Sequence, residues 1–315
     1  MIEIRHLTKR YGSHTAVEDL NLTLEPGKIY GFLGPNGAGK STTMNMITGY
    51  LGATEGEVKI NGYDIFKQPE EAKQCIGYLP ELPPLYQEMT VSEYLLFVAE
   101  LKKIKKNDRK AEVEKVIEKI SLGDVQHRLI RNHSKGYKQP VGLAQAILGN
   151  PDFIILDEPT VGLDPKQILE IRDLIKELGQ EHTVILSSHI LTEISAVCQH
   201  VFIITKGKLV ASDTTENLVG LMSGSQQIEL VAKGQQETAK NILDTVGKIS
   251  NMEIISAEKE GECHFRINSV QGADIREDIF HAFAGTKTSI LEMHTVTKSL
   301  EDVFLELTQE GEQKL

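Results

Sequence analysis

Cysteine is scarce and unpatterned in this sequence: Cys75, Cys198 and Cys263 are odd in number and far apart. Such a set offers neither a disulfide framework nor the CxxC spacing of a metal or redox site, and it fits a reducing cytoplasm. Long apolar runs are missing as well. Nowhere do about 18 apolar residues follow one another, and Met1 to Arg10 alternates charge with aliphatics where a signal peptide has an unbroken apolar stretch. The expectation is a cytoplasmic chain whose dealings with a membrane go through a partner. Basic residues are outnumbered, 34 Lys and Arg against 45 Asp and Glu, and the charge of −11 argues against a broad nucleic-acid-binding face. There is no convincing internal repeat and no low-complexity segment.

What is present is an ordinary globular composition, 40% apolar and 25% charged, enough for a packed core without metals or disulfides. At 315 residues the chain outgrows a single core, so a main domain and a smaller one are expected, with the polar stretch from Ser212 to Gln227 as the joint. The domain bounds read from this are 1–215, a linker at 216–226, and a small α+β domain at 227–315.

The pattern predicts strands at Ile2 to Leu7, Leu20 to Leu24 and Lys28 to Leu33, the last running into a glycine-rich turn and then a helix from Ala38 to Thr48. Thr90 followed by Glu93 forms a capping box for a helix bearing Tyr94, Leu95, Val98 and Leu101. Apolar runs at Phe153 to Leu156 and Thr183 to Leu186 read as strands around a helix capped by Asp164, with Pro165 first, Ile168, Ile171, Ile175 and Leu178 on one face, and Gly179 past its end. Alternating strands and helices imply a largely parallel sheet. From Ile228 the order becomes βαββαβ, resembling a ferredoxin-like unit, followed by a last helix from Ser299 to Thr308.

Two stretches carry chemistry. Gly34, Pro35, Asn36, Gly37, Ala38, Gly39, Lys40 and Ser41 match GxxxxGK[ST] between a predicted strand and a predicted helix, the context that the motif requires. Glycines let the backbone curl so that successive N–H groups and the helix N-terminus face phosphate oxygens. Lys40 would reach the terminal phosphates, Ser41 would hold Mg2+ through its hydroxyl, and Thr42 continues the nucleotide-binding set. The second stretch, Phe153 to Glu158, leads four apolar residues into two acids. Asp157 can hold the Mg2+ shell while Glu158 faces the water that attacks the terminal phosphate. Taken alone, such a strand end is as often a solvated turn; the phosphate loop is what tips the balance.

With Leu156-Asp157-Glu158-Pro159-Thr160-Val161-Gly162-Leu163-Asp164-Pro165 following the phosphate loop, residues 1 to about 215 resemble the ATP-binding cassette of ABC transporters. The resemblance implies a P-loop cassette with a RecA-like parallel core, an antiparallel β subdomain, a helical subdomain at about 88–150, and the small C-terminal domain appended. It implies that Tyr11 stacks on adenine and that His189 contacts the terminal phosphate and orients the water. Ser134-Lys135-Gly136-Tyr137-Lys138-Gln139 looks like a variant of the family signature, in which Ser134 and Gly136 complete the site of a second copy. Gly162-Leu163-Asp164 resembles the loop that crosses the dimer interface, and Asp164 is a sound helix cap in its own right.

Two departures stand out. Glu81, in Tyr78-Leu79-Pro80-Glu81, replaces the usual glutamine and is a further Mg2+ ligand candidate that adds negative charge. Pro140 replaces the usual arginine; it is harmless if the helix starts near Gly136 and costs ~3 kcal/mol if it starts earlier. Ser299 to Phe304, together with Tyr78-Leu79-Pro80-Glu81 and the Ser134-Lys135-Gly136 signature, resembles cassettes serving ABC-2 exporters. The implied whole is a homodimer sandwiching two MgATP and driving a separate permease, whose dock is the surface from Ile76 to Glu100 with Leu82, Pro83, Pro84, Leu85 and Tyr86. The alternatives are a nucleotide-gated regulator with weak hydrolysis, a soluble ABC ATPase acting on ribosomes or DNA, and a P-loop kinase; the last two lack their expected second cassette or acceptor lid.

Overall fold

Alternation of apolar and polar residues makes antiparallel pairs of the first strands. In the computed structural model, which describes residues 1–132, 135–215, 217–218, 227–255, 261–270 and 273–296, β1 (Ile2–Tyr11) pairs with β2 (His14–Leu24) and with β4 (Glu55–Ile60), which pairs in turn with β5 (Tyr63–Asp64). Both β1 and β2 are longer than the sequence pattern suggests. The extra residues, Thr8 to Tyr11 and His14 to Asp19, are mostly polar, and Val17 is the one buried aliphatic among them, so they carry no sustained apolar alternation to read.

β3 (Ile29–Leu33), β7 (Phe153–Asp157) and β8 (Thr183–Ser188) are buried at every residue. Continuous burial is what a parallel sheet covered on both faces demands. They form a six-stranded sheet with β6 (Ile76–Leu79), β9 (His200–Thr205) and β10 (Lys208–Thr214) in the order β10-β9-β3-β8-β7-β6. All neighbours are parallel except β10, which runs antiparallel on β9. The strands β3, β7 and β8 end side by side, Leu33 opposite Ser188 and Asp157 opposite Ser187, so whatever follows them converges at one edge. One core runs under both sheets through Ile2, Leu7, Leu20, Phe32, Met44, Ile47, Phe153 and Phe202.

Helix α1 (Lys40–Ile47) follows β3, and α2 (Pro69–Gln74) precedes β6. Between β6 and β7 lie α3 (Val91–Leu101), α4 (Arg109–Lys119) and α5 (Lys135–Ile147). Thr90 and Glu93 close the expected capping box on α3. Pro140 sits at the sixth residue of α5, inside the helix rather than in its first turn. The helix does start next to Gly136, but an N–H at the sixth residue would already be part of the ladder, so that starting point does not make the proline harmless.

α6 (Pro165–Glu181) is capped by Asp164 as expected, but it does not stop before Gly179. A Cβ on Gly179 would meet Ile29 Cδ1 at 2.5 Å and Cγ1 at 2.6 Å, so this glycine is a packing residue that lets α6 approach β3. Gly179→Ala is therefore expected to lower thermal stability by about 1–3 kcal/mol of overpacking, outweighing the ~1 kcal/mol of helix propensity that alanine gains. A melting temperature at or above wild type would count against this account. α7 (Leu191–Val197) joins β8 to β9.

The chain divides into compact units at Thr215/Glu216. The second contains β11 (Gln227–Lys233), α8 (Gln236–Leu243), β12 (Ile249–Ile255), β13 (Glu262–Ser269), α9 (Arg276–Ala284) and β14 (Ser289–Val296). Its antiparallel sheet, in the order β12-β13-β11-β14, is that of a ferredoxin-like βαββαβ unit. Ile228, Leu230, Phe265 and Ile267 pack against Ala239, Leu243, Ile279 and Phe283 of the two helices. The proposed last helix from Ser299 to Thr308 and most of the proposed linker lie outside the described residues.

Candidate active site

The phosphate turn is shaped by positions that only glycine fills. Gly37 and Gly39 have φ of 80° and 103°, left-handed values that an L side chain rarely adopts. Gly39 is the N-cap of α1, and a Cβ there would meet Ala16 O at 2.5 Å; one on Gly34 would strike Ile204 O. The turn thus lies flush against its neighbours and presents backbone N–H groups and a helix start to a cleft of about 530 Å³.

Tyr11, Asn36, Gly37, Ala38, Gly39, Lys40, Ser41, Thr42, Glu81, Glu158 and His189 all line that cleft. Gly34 and Pro35 do not line it; their carbonyls accept bonds from Lys40 Nζ at 2.8 and 3.3 Å. Lys40 also pairs with Glu158 Oε1 at 3.3 Å, with both side chains almost fully buried. On its other oxygen Glu158 meets His189 Nδ1 at 3.0 Å. A cation, a carboxylate and an imidazole are therefore joined in one line across the cleft.

Glu158 is held in an uncommon backbone state, φ 48°, that a non-glycine residue keeps only when its surroundings enforce it. The enforcing group is Ser187 on the neighbouring strand, whose hydroxyl accepts the Glu158 N–H at 3.0 Å and donates to Asp157 Oδ1 at 2.5 Å. Ser41 donates to the same Asp157 oxygen at 3.2 Å. Burial pushes the Asp157 carboxyl above its ordinary pKa; the two hydroxyls oppose this, and the charges of Glu158 and Glu81 add to it.

Mg2+ fits this set. Ser41, Asp157 and Glu81 would offer hard oxygen ligands, and a divalent cation would relieve the crowding of Asp157, Glu158 and Glu81. Among the described residues no group of three or more His, Cys, Asp and Glu is placed to hold a metal ion.

Tyr11 is half-exposed at the end of the β1–β2 hairpin, directly across from His14, and both face the cleft with Ala16. The pairing explains why His14 and Ala16 escaped the sequence reading: they belong to the site only through the register of β2. Ser187 and Ser188 were visible in the sequence as hydroxyls ahead of His189, but their roles depend on the neighbouring strand. Of the proposed signature, Ser134 lies outside the described residues, and Gly136 falls in the first turn of α5.

A second cleft of about 530 Å³ shares Ser41 and Glu81 with the first and is lined further by Asn45, Tyr50, Tyr78, Pro80, Leu82, Pro84 and Asp157. Tyr50, Leu82 and Tyr86 are largely exposed, whereas Leu85 is buried and belongs to the core rather than to a docking face. Among the described residues no helix is long and apolar enough to cross a membrane.

A glycine-curled turn between a buried parallel strand and a helix, with a strand-end Asp-Glu pair beside it, defines a P-loop nucleotide-binding cassette. Comparison with known proteins agrees. The model of the ABC transporter family matches residues 17–161. The chain is 33% identical over 317 residues to the uncharacterized ABC transporter ATP-binding protein YhcH of Bacillus subtilis (strain 168), covering 100% of this chain and 98% of that one. It is 43% identical over 212 residues to the bacitracin transport ATP-binding protein BcrA of Bacillus licheniformis, covering 67% of this chain and 68% of BcrA. Among solved structures, the dimeric structure of MJ0796, a bacterial ABC transporter cassette, aligns with a TM-score of 0.63 at 25% identity, over 68% of this chain and 98% of that one. The chain belongs to the family of ABC transporter ATP-binding proteins, and its activity class is that of the ABC ATPases.

Proposed function

We propose that this chain hydrolyses MgATP as a homodimer and drives a separate membrane permease of the ABC-2 class, acting as an exporter from the inner face of the cell membrane. The observation that carries the proposal is the Lys40–Glu158–His189 line beside the phosphate turn. In this reading Lys40 exchanges its Glu158 partner for the terminal phosphate, and the freed carboxylate accepts a proton from the attacking water. His189, tethered to Glu158, orients that water and stabilises charge developing on the phosphoryl oxygens. Ser41 and Asp157, with Glu81 close by, would hold Mg2+, which would neutralise phosphate charge. Tyr11 presents a ring face for adenine.

Dimerisation is supported by the dimeric MJ0796 cassette and by the resemblance of Ser134 and Gly136 to donors that complete a partner's site. The apolar cleft beside Ser41, with exposed Tyr50 and Leu82, suits a short helix of the permease, so that docking and the metal-binding edge share Glu81. BcrA, named for bacitracin transport, supports the exporter reading. A second reading, a nucleotide-gated regulator with weak hydrolysis, is favoured by Pro140 inside α5 and by the extra carboxylate of Glu81.

Steady-state ATP hydrolysis measured against protein concentration separates the two. The expected result is a rate that rises faster than linearly, together with an ATP-dependent dimer in light scattering. Strong ATP binding with a rate flat at background, and a chain that stays monomeric, would favour the regulator.

A further inference from the structure

Glu193, on the first turn of α7, is buried, and its carboxylate is occupied by neither a lysine nor an arginine in any recorded pair among the described residues. Its Oε2 instead accepts two hydroxyls from different directions: Thr160 Oγ1 at 2.7 Å and Ser188 Oγ at 2.8 Å. Thr160 is two residues beyond Glu158, in the turn where Val161 N–H bonds back to Glu158 O at 3.2 Å. Ser188 immediately precedes His189, and its hydroxyl also accepts the Ile190 N–H at 3.0 Å. One carboxylate oxygen therefore grips both flanks of the pair formed by Glu158 Oε2 and His189 Nδ1, from the side away from the nucleotide cleft, whose lining does not include Glu193.

The arrangement has a physical purpose. Glu158 occupies a left-handed backbone state, and His189 stands just past the end of β8, outside the ladder. Neither position is fixed by its own secondary structure. Ser187 fixes the Glu158 side through its N–H, but it does nothing for His189. A buried anion that accepts two short hydroxyl bonds is a rigid, directional tie, because leaving either hydroxyl unpaired in a dry interior is unfavourable.

We infer that Glu193 is a positioning residue for hydrolysis: through Thr160 and Ser188 it locks the Glu158 and His189 loops in register, so that base and imidazole face the same water. It touches neither nucleotide nor water itself. The inference rests on the proposed roles of Glu158 and His189, and the test keeps the two apart.

Four variants of the full chain, Glu193→Ala, Glu193→Gln, Thr160→Val and Glu158→Gln, are compared for kcat, for MgATP affinity and for melting temperature. Misplacing a catalytic group by about 1 Å costs on the order of 10²-fold, so Glu193→Ala is expected to lose kcat to that extent while its ATP affinity stays within about threefold. Glu193→Gln keeps an oxygen that accepts both hydroxyls and is expected to restore most of the turnover; a general packing defect would not be rescued so selectively. Thr160→Val preserves shape and removes one tie, giving an intermediate loss even if Glu193→Ala folds poorly. The inference is overturned if Glu193→Ala turns over like wild type while Glu158→Gln is inactive. It is equally overturned if Glu193→Ala loses affinity, turnover and melting temperature together while Thr160→Val behaves as wild type. An active Glu158→Gln would instead remove the catalytic reading on which it stands.

Discussion

Glu158→Gln is expected to lower ATP turnover by ~100-fold or more and to leave MgATP binding intact. The substitution keeps size and hydrogen-bonding reach but removes the only charge in the Lys40–Glu158–His189 line that can take a proton from water. Its geometry is favourable for a clean result. The backbone of residue 158 is held by the Ser187 hydroxyl and not by its own side chain, so the turn is expected to survive. A second consequence follows from the ion pair: with a neutral amide opposite it, Lys40 no longer has to leave a carboxylate to reach the phosphates, and ATP affinity is expected to hold or rise. Single-turnover hydrolysis and equilibrium nucleotide binding, measured on the same preparation, check both parts. A variant that hydrolyses within a few-fold of wild type would place the proton acceptor elsewhere.

The other large effect is expected for Lys40→Ala. Its ammonium is buried, donates to Gly34 O and Pro35 O, and neutralises Glu158. Removing one member of a buried pair leaves an uncompensated charge, with a typical cost of 3–5 kcal/mol, so the nucleotide-free chain is expected to melt at a visibly lower temperature. The loss of a charge-assisted contact to the terminal phosphates is expected to weaken ATP binding on the order of 10²-fold, with ADP affected less because the reach of Lys40 is toward the far end of the chain of phosphates. Melting scans with and without nucleotide, and titrations with both nucleotides, test this directly. If ATP affinity were unchanged, Lys40 would be a structural plug of the turn and not a phosphate ligand.

How much of this was legible in the residues depends on the distance over which each signal acts. The phosphate turn, the β3–α1 junction and the caps at Thr90 and Asp164 are local in sequence, and they read correctly because turn, cap and helix obey rules spanning a few residues. Alternation of strands and helices gave the largely parallel sheet in the same way, while the cassette's antiparallel and helical subdomains came from the family resemblance. Gly179 misled because a glycine near a helix end has two uses, a C-cap and a close approach, and the Ile29 side chain that selects between them is 150 residues away in the chain. Leu85 was assigned to a docking groove because an apolar, proline-rich run suits a partner helix; folding buries it instead. Ser187, Glu193 and His14 carry no local pattern at all. Each acquires its role from the strand or loop that the sheet order sets beside it.

The backbone at Ala16 sets a length scale that none of the side chains controls. Its carbonyl lies where a Cβ of Gly39 or Gly207 would have to go, at 2.5 and 2.7 Å, and Glu18 N–H bonds to Gly207 O at 2.8 Å while Gly207 N–H bonds to Ala38 O at 3.0 Å, so the hairpin that ends in Tyr11 and His14 packs against the phosphate turn at Gly39 and is hydrogen-bonded to it through the β9–β10 turn. The Tyr11–His14 hairpin and the phosphate turn belong to different sheets, yet the offset between them is fixed by main-chain contact. The hairpin then works as a ruler. If Tyr11 carries the base as proposed, substitutions at its exposed tip are expected to alter nucleobase preference without disturbing the chemistry at the other end of the same nucleotide.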